Sequence, residues 1–240
     1  NRLLSVIRYH GSKTEKFFKK HPDINEKIEK IYIKSPKIEE NLYFYAKNKT
    51  QIISQVQMGT IEFHTWGSKI TSINKPDVMV FDLDPDKKVS LGTLRQGVRH
   101  IKQILDELGL KSFLKTSGGK GYHIYVPFSK TKSWKSFEKF AQNVAVLMEE
   151  RWSKLYVSTS SKAKRKNKIF IDYMRNTKGA TCVCPYSVRI RDDVAVSMPI
   201  FYDELDVITP NYFTLDLALE RVKQNINPWK NFFRMKQTLL

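Results

Sequence analysis

The segment Val78-Met79-Val80-Phe81-Asp82-Leu83-Asp84-Pro85 constrains this chain more than any other. It reads as a strand whose apolar run ends in acid and stops at Pro85, which has no N–H for a ladder. Residues i and i+2 of a strand point to the same face. Asp82 and Asp84 therefore share a side, roughly 7 Å apart at Cβ and convergent at their tips. Two like charges at that spacing repel, and burial would raise a carboxyl pKa. A divalent cation removes the conflict. Mg²⁺ and Mn²⁺ suit it, because they take oxygen donors and keep room for substrate phosphates. Taken alone, Asp-x-Asp also fits a glycosyltransferase or a solvated strand end.

A second signal is Thr116-Ser117-Gly118-Gly119-Lys120-Gly121-Tyr122-His123. Three glycines in four residues permit positive φ and close backbone approach, and successive amides can form an anion nest. Ser117 adds a hydroxyl and Lys120 a point charge, although the spacing is not that of a Walker A loop. The alternative is a glycine hairpin with an incidental lysine. On the strand Tyr122–Val126, His123 and Tyr125 share the face opposite Tyr122, Ile124 and Val126. His123 reads equally as a structural hydrogen bonder or as a site residue. His64, in Ile61-Glu62-Phe63-His64-Thr65-Trp66, reads as structural on the residues alone.

The basic run Lys162-Ala163-Lys164-Arg165-Lys166-Asn167-Lys168 leads straight into Ile169-Phe170-Ile171-Asp172-Tyr173. Asp172 alternates away from Ile171 and Tyr173, which makes it the third carboxylate for a metal site. Arg175, Lys178, Arg189 and Arg191 follow within twenty residues. Acids that hold metal beside cations that offset phosphate charge are what a triphosphate site requires. Phe17-Phe18-Lys19-Lys20 could stack bases and grip backbone, but on the residues alone the phenylalanines read as core. Cys182-Val183-Cys184 lacks a second cysteine pair or a nearby histidine, so small buried thiols fit better than zinc.

Lys and Arg total 42 against 24 Asp and Glu, a net charge of +18 that favours a polyanionic partner. No apolar run approaches the ~20 residues of a bilayer span, and Asn1–Ile7 is too short for a signal peptide. Two cysteines give no disulfide framework, so a reduced cytoplasmic protein is expected.

The periodicity predicts strands at Arg2–Tyr9 (with a turn at Gly11), Ile61–Trp66, Phe113–Lys115, Tyr122–Phe128, Ile169–Tyr173, Thr181–Arg189 and Val194–Ser197. Asn41–Ala46 and Gln51–Val56 read as a strand pair around Lys47–Thr50. Helices are expected after Pro85, where Leu94, Val98, Ile101, Leu105 and Leu108 precede a Gly109 cap, over Trp134–Trp152 with Ser133 as N-cap, and over Leu215–Gln224. The order implies an α+β fold with a mixed or antiparallel central sheet and flanking helices.

Four blocks together resemble one family. Lys75–Pro85 is similar to its "PDxxVFDLDP" block, Lys115–Pro127 to "KTSGGKGxHxxVP", Lys162–Arg189 to "KAKRxxKIFIDYxRNxxGATxxxPYSVR", and Thr60–Gly67 to "xxExHxWG". The family is the polymerase domain of bacterial ATP-dependent DNA ligase D, within the archaeo-eukaryotic primase superfamily. The resemblance spans about residues 1–220 and implies one two-lobed, primase-like domain over residues 1–240. Asp82, Asp84 and Asp172 match the family's catalytic acids, which bind two divalent metals, Mn²⁺ or Mg²⁺. Ser117, Lys120, His123 and Arg189 match residues around the incoming triphosphate, with Gly118 and Gly119 in the same loop. His64 matches a histidine near the nucleotide sugar, and Phe17 and Phe18 match aromatics on the nucleotide or template base. Arg175 stands at a polar site position.

The resemblance further implies template-dependent gap filling and end extension in bacterial non-homologous end joining. The substrates would be an NTP or dNTP and gapped, nicked or broken DNA. The implied partners are a Ku-type end-binding protein and a ligase module, in a nucleoid-associated cytoplasmic setting. Lys19, Lys20, Lys162, Lys164, Arg165, Lys166 and Lys168 would contact nucleic acid. Asn1–His10 corresponds to the family's "RPLTLVRYP" segment, and the preceding segment, whose lysines recognise a 5′-phosphate, has no counterpart in these 240 residues. His10 replaces a usual proline, and Cys182 and Cys184 fall in a usually alanine-rich stretch; neither change is expected to touch the chemistry. A stand-alone primase, a non-catalytic end-binding module and a metal-dependent nuclease are the competing readings.

Overall fold

The computed structural model describes residues 1–9, 15–35 and 38–239. The turn expected at Gly11 and the His10 substitution lie outside the described residues.

The N-terminal half builds an antiparallel sheet. β1 (Arg2–Tyr9) pairs along one edge with β2 (Lys16–Lys19) and, nearer its start, with β4 (Ile38–Tyr45), which in turn pairs with β3 (Glu29–Ser35). Its other edge carries β5 (Thr60–Lys69). Between β4 and β5 the chain forms a helix, α1 (Lys49–Gln57), and not the strand expected at Gln51–Val56. Asn48 decides the outcome, because its side chain accepts the Gln51 N–H and caps the first turn. The β-branched Ile52, Ile53 and Val56 suggest a strand. Yet Ile52 and Val56 are four apart and line one cavity with Leu4 and Phe63, which is helical spacing.

α1 also delivers Gln55 into a buried polar cluster. Arg8 donates to Glu26 at 2.7 Å and to Gln55 at 2.8 Å, and Lys19 reaches Glu26 at 2.8 Å and Asp23 at 2.5 Å. Burial opposes ionisation of Glu26, but the donors from Arg8 and Lys19 hold it at about 2.

The second sheet is mixed. β6 (Val78–Pro85) lies between β8 (Tyr122–Pro127) and β10 (Ile169–Asp172), both antiparallel to it. β7 (Phe113–Thr116) pairs antiparallel with β8, and β9 (Tyr156–Val157) runs parallel to β10 at the edge. α2 (Leu91–Glu107) and α3 (Trp134–Arg151) cover one face. Ser133 caps α3 as expected, accepting the Ser136 N–H.

The alternation in β6 sorts the faces. Met79, Phe81 and Leu83 join Val98, Ile101, Leu105, Phe137 and Ala141 in the helix-side core. Val78 and Val80 face the other way, into a smaller cluster with Tyr125, Cys182 and Val183. Cys182–Val183 form β11, which pairs with β5, so the two sheets meet along that face. The strand expected over Thr181–Arg189 is broken, because Tyr186 has φ +65° and separates β11 from β12 (Val188–Ile190). β12 forms a hairpin with β13 (Val194–Val196). β14 (Pro199–Ile200) pairs with β7, and α4 (Leu215–Lys223) is the last α-helix among the described residues. No helix among the described residues is long and apolar enough to cross a membrane.

The Glu26 cluster gives a pH test. A carboxyl held at about 2 contributes stability above its unfolded pKa near 4.5. That contribution is lost as pH falls from about 4.5 towards about 2. Urea denaturation at pH 7 and at pH 3 should show a larger fall for the wild type than for Glu26→Gln. Equal falls would remove Glu26 as a source of acid sensitivity.

Candidate active site

Register assembles the site. Asp172 stands opposite Asp82 across β10 and β6, Asp82 opposite His123 across β6 and β8, and His123 opposite Lys115 across β8 and β7. Four adjacent strands thus carry a row of titratable side chains on the face away from the helices. Asp84 lies two residues along that face, opposite Phe170. One ligand oxygen from each of Asp82, Asp84 and Asp172 lies within 4.8 Å of the others. The three acids expected from the sequence do converge.

Their charges are handled by neighbours. His123 Nε2 is 3.2 Å from Asp82 Oδ1. Arg175 Nε lies 3.4 Å from Asp82 Oδ2 and 3.1 Å from Asp172 Oδ2, without forming a hydrogen bond. The Met174 N–H donates to Asp172 Oδ1 at 3.0 Å. Burial opposes ionisation of Asp82, but His123 and then Arg175 hold it below the usual carboxylate range. Partial burial, then the charges of Asp82 and Asp172, push Asp84 up to about 6. Burial likewise raises Asp172. An oxygen-only donor set with this surplus of negative charge fits a hard divalent cation.

The glycine loop differs from expectation. Ser117 is buried, and its Oγ accepts the N–H groups of Gly119 and Gly121 at 3.1 and 3.2 Å. The Gly118 N–H donates to Pro210 O at 3.0 Å. Those three amides are engaged within the protein, so the loop is no open nest. The cations beside it are exposed Lys120 and Arg189, whose Nη1 donates to Ser117 O at 3.0 Å. A cavity of 470 Å³ beside the loop is lined by Lys87, Lys120 and Arg191 and equally by Asp86, Asp192 and Asp193.

The N-terminal sheet supplies the opposite wall. His64 Nε2 is 3.2 Å from Glu62 Oε2, and the rings of His64 and Phe18 meet edge-on at 6.2 Å. Burial lowers the His64 pKa, with Glu62 acting against it. Phe17 and Phe18 are exposed, 38% and 49%, and so are not core. Lys20 lies 5.7 Å over the Phe18 ring. Lys19 is a different case, because its ammonium is turned into the Asp23–Glu26 cluster and is not presented to a ligand. Of the basic run, Lys162, Lys164 and Lys166 are exposed. Arg165 stacks on Phe170 at 3.7 Å, and Lys168 donates to Ser153 O at 2.6 Å.

Three residues emerge only from the fold. Glu62 is fully buried and gathers His64, Arg189 and Arg191. Lys115 is fully buried, bonded to Ser197, and lowered by that burial to about 8. Cys182 Sγ is 3.3 Å from His123 Nδ1, so this cysteine does touch the site, contrary to expectation. Adjacency of Glu62 to His64 on one strand face was the available signal for the first. The others depend on cross-strand and inter-sheet register.

A sheet presenting converging acids, walled by a second sheet with exposed aromatics and flanked by basic residues, is a primase-like polymerase architecture. A similar solved structure is the polymerase domain from Mycobacterium tuberculosis ligase D in complex with DNA, with a TM-score of 0.87 and 24% identity over 98% of this chain and 86% of that one. The family described as LigD, primase-polymerase domain, matches residues 1–229, and the chain belongs to it. The multifunctional non-homologous end joining protein LigD of Pseudomonas aeruginosa is 36% identical over 248 residues, covering 99% of this chain and 29% of that protein. The bifunctional LigD of Bacillus subtilis is 29% identical over 242 residues, covering 99% of this chain and 39% of that protein. The chain therefore spans well under half the length of these relatives.

The raised Asp84 yields a metal test. Carboxyl NMR on metal-free protein should show a group titrating near 6 that Asp84→Asn removes. Because a proton and a cation compete for the same oxygens, Mg²⁺ should displace that titration downward and bind more tightly at pH 7 than at pH 5. A titration unmoved by millimolar Mg²⁺ would mean that the acids do not share an ion.

Proposed function

We propose that this chain is a template-dependent nucleotidyltransferase that adds NTP or dNTP units to primer ends at gapped, nicked or broken DNA. The setting is bacterial non-homologous end joining, with residues 1–240 acting as one primase-polymerase-like domain. The observation that carries the reading is the convergence of Asp82, Asp84 and Asp172, one oxygen from each within 4.8 Å of the others.

Asp82, Asp84 and Asp172 would hold two divalent ions, Mn²⁺ or Mg²⁺. Such ions, when bound, acidify a primer hydroxyl and offset charge on a leaving pyrophosphate. His123 orients Asp82 through the 3.2 Å contact and keeps it ionised. Arg175 neutralises part of the acid cluster. Lys120 and Arg189 bind phosphate oxygens by charge-assisted hydrogen bonds, and the Ser117 hydroxyl, already accepting two amides, keeps its proton to donate. Exposed Phe17 and Phe18 would offer rings to a base, and His64, edge-on to Phe18, would lie towards the sugar.

Lys20, Lys162, Lys164, Arg165, Lys166 and Lys168 would meet DNA phosphates, with counterion release supplying the affinity. Lys19 supports this surface from within its own ion-pair cluster. A Ku-type end-binding protein and a ligase module are the proposed partners, in a nucleoid-associated cytoplasmic setting.

Primer extension on gapped DNA, with each nucleotide sugar and each metal, tests the reading. Wild type should give a product ladder dependent on template and divalent ion. Asp82→Ala should lose activity on the order of 10³-fold or more, as when a preorganised electrostatic element is removed, while DNA affinity stays within about twofold, because phosphate contacts carry it. Full extension by Asp82→Ala in Mn²⁺ would defeat the assignment.

A further inference from the structure

Glu62 is a carboxylate with 0% exposure, and the reaction as derived gives it no task. Its partners come from three directions. Arg191 grips it with two nitrogens, Nη1 at 2.5 Å from Oε1 and Nη2 at 3.1 Å from Oε2. Arg189 approaches end-on, with Nε 3.4 Å from Oε2 and no hydrogen bond from that nitrogen. His64 Nε2 shares the same oxygen at 3.2 Å. Burial disfavours the charge, but His64, Arg191 and Arg189 hold Glu62 at about 2.

The two arginines are therefore not equivalent. Arg191 spends its planar fork on the carboxylate, and a bidentate pair of that kind is largely neutralised. Arg189 is fastened at both ends of its guanidinium, by the long ionic contact at Nε and by the Nη1 bond to Ser117 O. It spans from the N-terminal sheet to the glycine loop and makes no bidentate contact with the carboxylate. Without Glu62, the two neighbouring arginines would lose the carboxylate they share, and like charges repel.

We propose that Glu62 is a positioning residue that sets Arg189 against the glycine loop for the triphosphate while holding Arg191 out of that role. The inference rests on the polymerase reading for the identity of the anion, but its own readout is binding. Arg189 pre-set in this way binds phosphate without first losing side-chain freedom, so the effect belongs in nucleotide affinity and not in turnover.

The experiment measures ATP binding by calorimetry and, in parallel, extension kinetics for wild type, Glu62→Gln, Arg189→Met and the double variant. Glu62→Gln keeps the shape and one acceptor but removes the charge. It should weaken ATP binding and raise KM about tenfold, with kcat within about threefold and primer–template affinity unchanged. The double variant should bind ATP no worse than Arg189→Met alone, because Glu62 acts through Arg189. Arg191→Met should weaken ATP binding several-fold less than Arg189→Met. ATP affinity unchanged in Glu62→Gln, or losses that multiply in the double variant, would overturn the assignment. Wild type that binds ATP yet extends no primer would sink the polymerase reading, while the comparison of ATP affinities would still decide the role of Glu62.

Discussion

Two carboxylates face each other across an antiparallel pair: Asp172 on β10 and Asp82 on β6. Like charges directly opposite on neighbouring strands are destabilising, and a third, Asp84, stands two residues away on the same face. The arrangement persists because the reverse face of these strands is fully committed. Phe81, Leu83, Ile169 and Ile171 are all 0% exposed in the helix-side core. A one-residue slip would exchange acids for core side chains along the whole strand, which the packing forbids. Hydrophobic burial below thus holds an electrostatic conflict above, and His123 and Arg175 moderate it.

Much of this was legible in the sequence, for a physical reason. Where one face of a strand is buried and the other carries chemistry, the two-residue period writes both into the chain, as in Val78–Asp84, Tyr122–Val126 and Ile169–Asp172. Ser133, with a polar cap function and an apolar stripe beyond it, marked α3 in the same local way. The failures share a different cause. α1 was hidden because β-branched residues outweighed the Asn48 cap. The loop amides were promised to a ligand because nothing local shows that Ser117 Oγ and Pro210 O take them.

Lys19 looked like a nucleic-acid contact because Asp23 and Glu26 become its partners only through the turn that follows β2. Cys182 looked remote from the chemistry for a similar reason. Its distance from His123 is set by β11 pairing with β5, between elements far apart in the chain. Charge pairs closed by tertiary contact leave no period behind them.

The width of the cleft is set by backbone, and this links the two sheets to one spine. At Gly67 on β5, a Cβ would sit 2.6 Å from Val78 O, and at Gly121 a Cβ would sit 2.5 Å from Leu83 O. Both separations are shorter than any side chain tolerates, so the N-terminal sheet and the glycine loop approach opposite ends of β6 more closely than other residues would allow. The Asp77 N–H to Gly67 O bond at 2.9 Å fastens the first of these contacts. β5, which carries Glu62 and His64, and the loop that carries Lys120 are therefore both spaced from the strand that bears Asp82 and Asp84. Rigid seating of that strand keeps the three acids at set distances, and a charge cluster acts most strongly where its geometry is preorganised.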